Sequence, residues 1–328
     1  MGMHVVIPIA GLGTRLRPHT YVRPKPLLTV AGKPILSHIV DQLKGVDVAR
    51  VTFIHGHLGE QVKAWAAENC PYPASFVEQK ELLGQAHAIS LVRDALDGPT
   101  LIIFGDTIFG ADLSQLGREG EDGRLFVQKV DDPRRFGIAV TNGDLVTRLV
   151  EKPKDYVGDL AVVGIYYVQH PDHLMRAIDS VIARDQQIGG EFYLADALQQ
   201  MIEEGTRFRV GPVDAWLDCG TIPSLLDTNR RLLASGHARE PASAAGSTIV
   251  PPVYVDPRAD IVDSVVGPNA SIGPNARIER SRIEDAIVDE GARVEGSEIK
   301  ESLIGRYVEL RGVRGRLNVA DHSYVVPV

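Results

Sequence analysis

Cysteine is scarce in this chain. Cys70 and Cys219 are the only two in 328 residues, too few for a disulfide scaffold, and no Cys/His cluster of the kind that holds structural zinc accompanies them. The expectation is a protein of a reducing compartment, the cytoplasm. Basic charge is also in deficit: 35 Lys and Arg face 43 Asp and Glu, a net charge of −8. That is the wrong sign for wrapping nucleic acid, although a few cations gathered in one cleft can still bind a small anion. Long apolar runs are missing too, none exceeding about ten residues where a bilayer span takes roughly 20. The chain enters a strand-like segment at His4 without a basic leader, so neither export nor a membrane anchor is expected. The remainder, 44% hydrophobic and 24% charged, excludes collagen-like, coiled-coil and wholly disordered chains. At about 150 residues per domain the length suggests roughly two domains.

From His4 to Phe104, short β-branched runs alternate with longer periodic segments, the grammar of an α/β fold. Strands are predicted at His4–Pro8, Arg50–Ile54, Ala74–Val77 and Thr100–Phe104. Helices are predicted after Pro34, where Ile35, Leu36, Ile39, Val40 and Leu43 recur at helical spacing, and over Glu60–Glu68 and Gln85–Ala95. Right-handed crossovers then build a doubly wound, Rossmann-like sheet whose ligands bind beyond the carboxyl ends of its strands. Beyond Asp106 the pattern is mixed. Strands are predicted at Leu125–Lys129, Ile138–Thr141, Val146–Glu151 and Leu160–Val168, and helices around Pro171–Arg184 and Phe192–Glu204. A stretch rich in small residues over 236–246 reads as a linker.

After that linker the grammar changes. Aliphatic residues recur every five or six positions, at Val255, Ile261, Val266, Ile272, Ile278, Ile283, Val288, Val294, Ile299 and Ile304, and Val-Gly-Pro-Asn-Ala-Ser is followed by Ile-Gly-Pro-Asn-Ala-Arg. Such a period suits neither a helix nor an ordinary strand. It suits a triangular coil in which each flat face turns one aliphatic residue inward, and it resembles the hexapeptide-repeat left-handed parallel β-helix. The five-residue steps predict corners of uneven tightness. An open prism end needs a cap or a second subunit, so a homo-oligomer is expected.

Residues 9–18 read I-A-G-L-G-T-R-L-R-P at the predicted end of the first strand. Gly11 and Gly13 permit a tight backbone that brings amide groups to phosphate oxygens, Arg15 adds a bidentate fork, and a triphosphate is the natural guest. A dinucleotide fingerprint would need a glycine where Leu16 stands, and a Walker loop would need a Gly-Lys-Ser/Thr ending. Prolines on both sides of Lys25 make its segment extended, so that the ammonium can be aimed. The string G-x-G-T-R-L-R-P followed by P-K-P resembles the signature of the sugar-1-phosphate nucleotidyltransferases over about residues 3–232. This family contains glucose-1-phosphate thymidylyltransferase and mannose-1-phosphate guanylyltransferase.

Composition places a linker over 236–246, the repeats place a left-handed β-helix over 247–328, and the resemblance implies a nucleotidyltransferase domain over 1–235. It also implies nucleotide contacts from Ala10, Gly11, Gly13, Thr14, Arg15, Lys25, Gln79, Gly84 and Asp106. A glutamine amide can pair with a pyrimidine edge, and Gln79 with Gly84 stands at the separation of the base-reading pair in thymidylyl- and uridylyltransferases. His87 is given no role. Asp106 in Phe-Gly-Asp and Asp218 in Trp-Leu-Asp-Cys-Gly-Thr are the implied Mg²⁺ ligands, with a turn and a helix cap as their plain alternatives. Arg-Phe-Gly-Ile, Glu-Lys-Pro, Val-Gly-Ile-Tyr and Gly-Glu-Phe-Tyr look like acceptor motifs. They imply Gly137, Glu151, Lys152, Tyr166 and Glu191 around a sugar-1-phosphate, with core packing as the alternative for Tyr166. Arg15, Lys25 and Lys152 are the expected catalytic cations, dTTP or UTP and glucose-1-phosphate the favoured substrates. The alternatives are a mannose-1-phosphate guanylyltransferase, a regulatory homologue without turnover, and an acyltransferase β-helix, against which the lone His322 after residue 241 argues.

Overall fold

The computed structural model describes residues 2–117 and 120–327; residues 1 and 328, the outer limits of the expected domains, and residues 118–119 lie outside it. The chain forms two compact units that do not follow its linear order. Met1–Gly11 joins Ile39–Trp216 in one, and Leu12–His38 joins Leu217–Val328 in the other. From Leu12 onward the glycine-rich loop therefore belongs with the repeats, a grouping that periodicity alone does not reveal.

The first unit is built on a nine-stranded sheet: β1 (Met3–Ile9), β2 (Val48–His55), β3 (Ala74–Glu78), β4 (Thr100–Ile103), β5 (Gly123–Lys129), β6 (Gly137–Asn142), β7 (Leu145–Glu151), β8 (Leu160–Val168) and β9 (Phe208–Pro212). Their order is β3-β2-β1-β4-β8-β5-β9-β7-β6. The first four strands are mutually parallel, and β8 then runs antiparallel to both β4 and β5, which makes the sheet mixed as the sequence predicts. Val5, Val6 and Ile7 in the parallel part are wholly buried, as a strand covered on both faces requires. The unpredicted β9 pairs with β5 and β7. Its five residues, Phe-Arg-Val-Gly-Pro, are too short and too interrupted to stand out as a strand.

Helices α1 (Ile35–Asp41) and α2 (Gly59–Asn69) form where predicted, whereas α3 stops at Ser90 (Gln85–Ser90) and a separate turn covers Arg93–Ala95. Helices α4 (Pro171–Ala183) and α5 (Leu194–Glu203) bury Leu174, Ile178, Val181, Leu194, Leu198 and Met201 in one core with Tyr166 and Phe208. Phe192, expected in α5, precedes it. Among the described residues no helix is long and apolar enough to cross a membrane.

The second unit contains the repeats. Parallel ladders place Val265 beside Arg282, Arg282 beside Glu298 and Glu298 beside Arg314, so each coil is shorter than three full six-residue steps, as the five-residue steps demand. Val266, Ile272, Ile278, Ile283, Val288, Val294, Ile299 and Ile304 are buried inside. The expected linker is partly drawn into the stack: Arg239 bridges to Tyr254 and Ala245 to Val262. Helix α6 (Ile222–Leu232), which was not predicted, starts with a capping box in which the Thr221 hydroxyl and the Ser224 backbone pair, and Leu225, Leu226 and Leu232 are buried.

Candidate active site

In the second unit the glycine-rich loop is a single short turn, Thr14–Leu16, preceded by Gly13 in the left-handed region at φ +59°. The Thr20 hydroxyl donates to the Gly13 carbonyl at 2.8 Å, and a Cβ on Gly13 would lie 2.9 Å from Thr20 Cγ2 and 3.2 Å from Lys25 Cβ. The glycine thus admits both the conformation and the approach of Lys25. Lys25 opens a turn, Lys25–Leu27, closed by Leu28 N donating to its carbonyl at 3.0 Å, and its side chain is buried. Arg15 and Thr14 remain exposed. Arg15 Nη2 and both carboxylate oxygens of Asp218 come within 3.4 Å of the point where a Gly220 Cβ would stand. Arg15, Gly220 and Asp218 are therefore neighbours in space.

Asp218 does not cap a helix; Thr221 does. The Asp218 carboxylate instead accepts from Gly220 N at 2.9 Å and stays exposed, while its carbonyl accepts from the Thr228 hydroxyl of α6 at 2.8 Å. An exposed carboxylate anchored through its backbone is suited to a ligand role. Cys219 beside it is fully buried.

In the first unit, Ala10 is buried at the end of β1 and Gly11 is exposed. Gln79, which follows β3, is buried, with its backbone N donating to His55 O at 2.8 Å. Its Nε2 donates to Gly84 O and to His87 Nδ1, both at 3.2 Å, which orients the amide so that Oε1 is its acceptor atom. Gln79 and Gly84 are brought together as predicted, and His87, given no role from the sequence, fixes the amide. Only the closure of the loop onto α3 brings it there, so no local pattern could have announced it. Gly84, at φ +98°, packs so tightly on the Phe192 backbone that a Cβ would lie 2.6 Å from Phe192 O. The segment from Gln79 to Gly84 is thereby tied to the segment carrying Glu191.

The side chains of Glu151, Lys152, Tyr193, Glu191 and Asp196 lie close enough to act on one another's charges. Gly137 and Glu151 face each other across β6 and β7. Lys152 is held at φ +44° with its backbone N donating to Phe136 O at 3.0 Å. Its ammonium donates to the Tyr193 hydroxyl, lies 4.3 Å from the centre of that ring and 3.9 Å from Glu151 Oε1, and keeps 43% side-chain exposure. Burial drives the Glu151 carboxyl up from 4.5 to about 7, with Lys152 opposing and Asp196 and Glu191 reinforcing. Burial alone would lower the pKa of Lys152, but Tyr193, Glu151 and Glu191 together raise it. Asp196, not singled out from the sequence, has a buried Oδ2 without a hydrogen-bond partner. Glu191 is exposed after a two-glycine turn that closes on Ile188.

Tyr166 is 6% exposed, its ring 5.3 Å from that of Phe104, and burial with the charges of Glu151 and Asp106 pushes its hydroxyl well above the ordinary range. It stands in the core, within reach of the Glu151 charge. Asp106 occupies the turn after β4 and accepts from the Thr107 hydroxyl at 3.4 Å. No group of three or more His, Cys, Asp or Glu suited to a metal gathers among the described residues.

Comparison with known proteins decides the family. The profile of the nucleotidyl transferases matches residues 4–235. The chain belongs to the nucleotidyl transferase family. This nucleotidyl transferase is 28% identical to the glucose-1-phosphate thymidylyltransferase of Streptomyces antibioticus over 98% of its own length and 99% of that protein. It is 31% identical to a UTP–glucose-1-phosphate uridylyltransferase of Haloferax volcanii over 66% of its own length and 91% of that protein. Among solved structures, a UDP-glucose pyrophosphorylase complexed with UDP-glucose superposes with a TM-score of 0.63 at 19% identity, over 72% of this chain and 100% of that one. At that identity the likeness concerns the fold alone.

Proposed function

We propose that this nucleotidyl transferase moves the nucleotidyl group of a pyrimidine nucleoside triphosphate, dTTP or UTP, onto a sugar-1-phosphate, with glucose-1-phosphate the favoured acceptor. An oxygen of the sugar phosphate forms a bond to the α-phosphorus, the bond from that phosphorus to the β-phosphate oxygen breaks, and pyrophosphate leaves with the electron pair. The attacking oxygen is already ionised near neutral pH, so no general base is required and the work is to hold anions together.

The observation that carries this reading is Lys152: a half-exposed cation, fixed by its backbone and a tyrosine ring, beside carboxylates that can accept hydroxyl hydrogens. A phosphate and a polyol in one ligand match that pairing. Lys152 takes the sugar phosphate, while Glu151 and Glu191 accept from ring hydroxyls beside Gly137, with Tyr166 supporting them from below. Arg15 takes the leaving pyrophosphate and Lys25 the α-phosphate, over the amide groups of Ala10, Gly11, Gly13 and Thr14. The Oε1 of Gln79 accepts from the N3–H of uracil or thymine, with the base lying along Gly84.

The donor set available to a metal is oxygen only. Asp218 presents an exposed carboxylate and Asp106 stands in the turn after β4; oxygen donors of this kind, few in number, suit Mg²⁺, which keeps waters and takes phosphate oxygens. When bound, Mg²⁺ supplies charge neutralisation on the triphosphate. The reading includes a nucleotidyltransferase domain over 1–235, a linker over 236–246, a left-handed β-helix over 247–328, a cytoplasmic location and a homo-oligomer.

A panel of dTTP, UTP, GTP and ATP against several sugar-1-phosphates, scored by pyrophosphate release with and without Mg²⁺, tests it. Metal-dependent turnover of a pyrimidine triphosphate is expected, and Asp106→Asn should abolish it. Turnover with GTP alone would make the protein a guanylyltransferase, and silence with every pair would make it a regulatory homologue.

A further inference from the structure

Arg23 stands two residues before Lys25, yet its side chain is only 5% exposed and turns to the repeats. Nη1 donates to Asp289 Oδ2 at 2.5 Å and Nη2 donates to both oxygens of Asp321 at 3.1 Å, carboxylates that are 11% and 3% exposed. Both aspartates lie on one corner of the coil. Backbone bonds from Asp256 to Ile272, Gly273 to Val288, Asp289 to Ile304 and Gly305 to Val319 stack Asp256, Gly273, Asp289, Gly305 and Ala320 on successive turns, with Asp321 the next residue along. The glycine between the two carboxylates is required, since a Cβ on Gly305 would lie 2.5 Å from Asp321 Oδ1. One guanidinium thus spans two turns of the coil.

The carboxylates are themselves held. Glu290 N donates to Asp289 Oδ1 at 2.8 Å, and Arg306 N and Nε donate to Asp321 at 2.9 and 3.0 Å. The same stretch of loop is gripped at two further points. His19 Nε2 meets Asn318 Oδ1 at 2.6 Å, and Asn318 Nδ2 donates to Arg17 O at 3.4 Å. Ala31 N donates to Asn229 Oδ1 at 2.9 Å, an oxygen that also accepts from Ser271 of the coil at 2.6 Å. A buried ion pair does little for stability, because desolvation offsets its attraction, and Arg23 Nε is left with no acceptor at all. What the clamp does supply is geometry. Between Arg23 and the turn at Lys25–Leu27 only Pro24 intervenes, with its fixed φ, so an anchored Arg23 fixes where Lys25 starts.

We propose that the coil is a positioning partner of the nucleotide loop, with Arg23, clamped by Asp289 and Asp321, aiming Lys25 at the triphosphate. Arg23 touches no substrate and acts through Lys25, and the inference rests on the role given to Lys25 above.

The test compares the full-length protein with Asp289→Asn/Asp321→Asn, Arg23→Lys, Arg23→Met and Asn318→Ala, by initial rates in each substrate and by calorimetric titration with UTP and dTTP. A displaced Lys25 should lower kcat/KM for the triphosphate roughly tenfold to a hundredfold in the double variant, with KM for the sugar phosphate within about twofold of wild type. Arg23→Lys should lie between wild type and Arg23→Met. A merely structural role would lower the active fraction and both substrates' kcat/KM together. If the double variant does not fold, the exposed Asn318→Ala decides, with a KM for the triphosphate raised about threefold at an unchanged melting temperature. Folded variants with wild-type triphosphate parameters, or equal losses for both substrates, overturn the proposal while leaving the transferase reading intact. A wild-type protein that binds UTP or dTTP without turnover, and loses that binding in the variants, sinks the transferase reading alone; one that neither binds nor turns over sinks both.

Discussion

Lys152 and Arg23 stand in matching local settings, each a cation directly before a proline, and the two regions use them in opposite ways. Around Lys152 the partners are adaptable: a tyrosine hydroxyl and a carboxyl that burial has pushed up to about 7, which half gives up its charge near neutrality. The ammonium keeps its positive charge and much of its exposure, and a phosphate can still claim it. Around Arg23 the partners are two buried aspartates. Burial works against the Asp321 charge, but Arg23, Arg306 and a backbone N–H outweigh it and hold its pKa below the usual range. The guanidinium is neutralised from within the protein. A cation serves a ligand when its protein partners can yield, and serves the architecture when they cannot.

Substitution sharpens this contrast. The largest effect should come from Arg23→Met, which removes the cation shared by two buried carboxylates and costs about 3–5 kcal/mol by urea unfolding, against about 1 kcal/mol or less for Lys152→Met. Equal losses at the two sites would erase the distinction. Next, Lys152→Ala should lower kcat/KM for the sugar phosphate about 10²- to 10³-fold with little change in melting temperature. Gly13→Ala forces a side chain into the left-handed region and against Thr20, at a cost of about 1–2 kcal/mol; a thermal melt with triphosphate parameters alongside reads it.

The smallest effect is in pH. Glu151 is protonated well below pH 7 and charged above, so kcat/KM for the sugar phosphate should rise severalfold through about pH 7, and Glu151→Gln should flatten that limb. The sign for stability is the reverse. A carboxyl raised from 4.5 to about 7 binds its proton more tightly when folded, so its ionisation burdens folding from above 4.5 and fully above about 7. Glu151→Gln should therefore stabilise the protein at pH 8 and not at pH 4.

Much of the architecture is legible from local pattern. The strands from Met3–Ile9 to Leu160–Val168 fall where β-branched runs lie, because burial in a sheet repeats every residue or every second one. Strand Phe208–Pro212 and helix Ile222–Leu232 were not legible, the first being too short for a period and the second starting directly after a motif read for its chemistry. The pairing of Gln79 with Gly84 is a short-range matter and could be anticipated. His87 on that amide and Asp196 near Glu151 depend on how a loop closes, and could not.

Neighbouring positions with repeating surroundings were enough to specify the mixed sheet, the parallel coil and the residues of the glycine-rich loop. Which cations are left for a ligand is settled by long-range contacts alone. Arg23 meets its two aspartates across 266 and 298 positions, and at those separations attraction and desolvation depend on distance and burial in the folded chain, which no local pattern records.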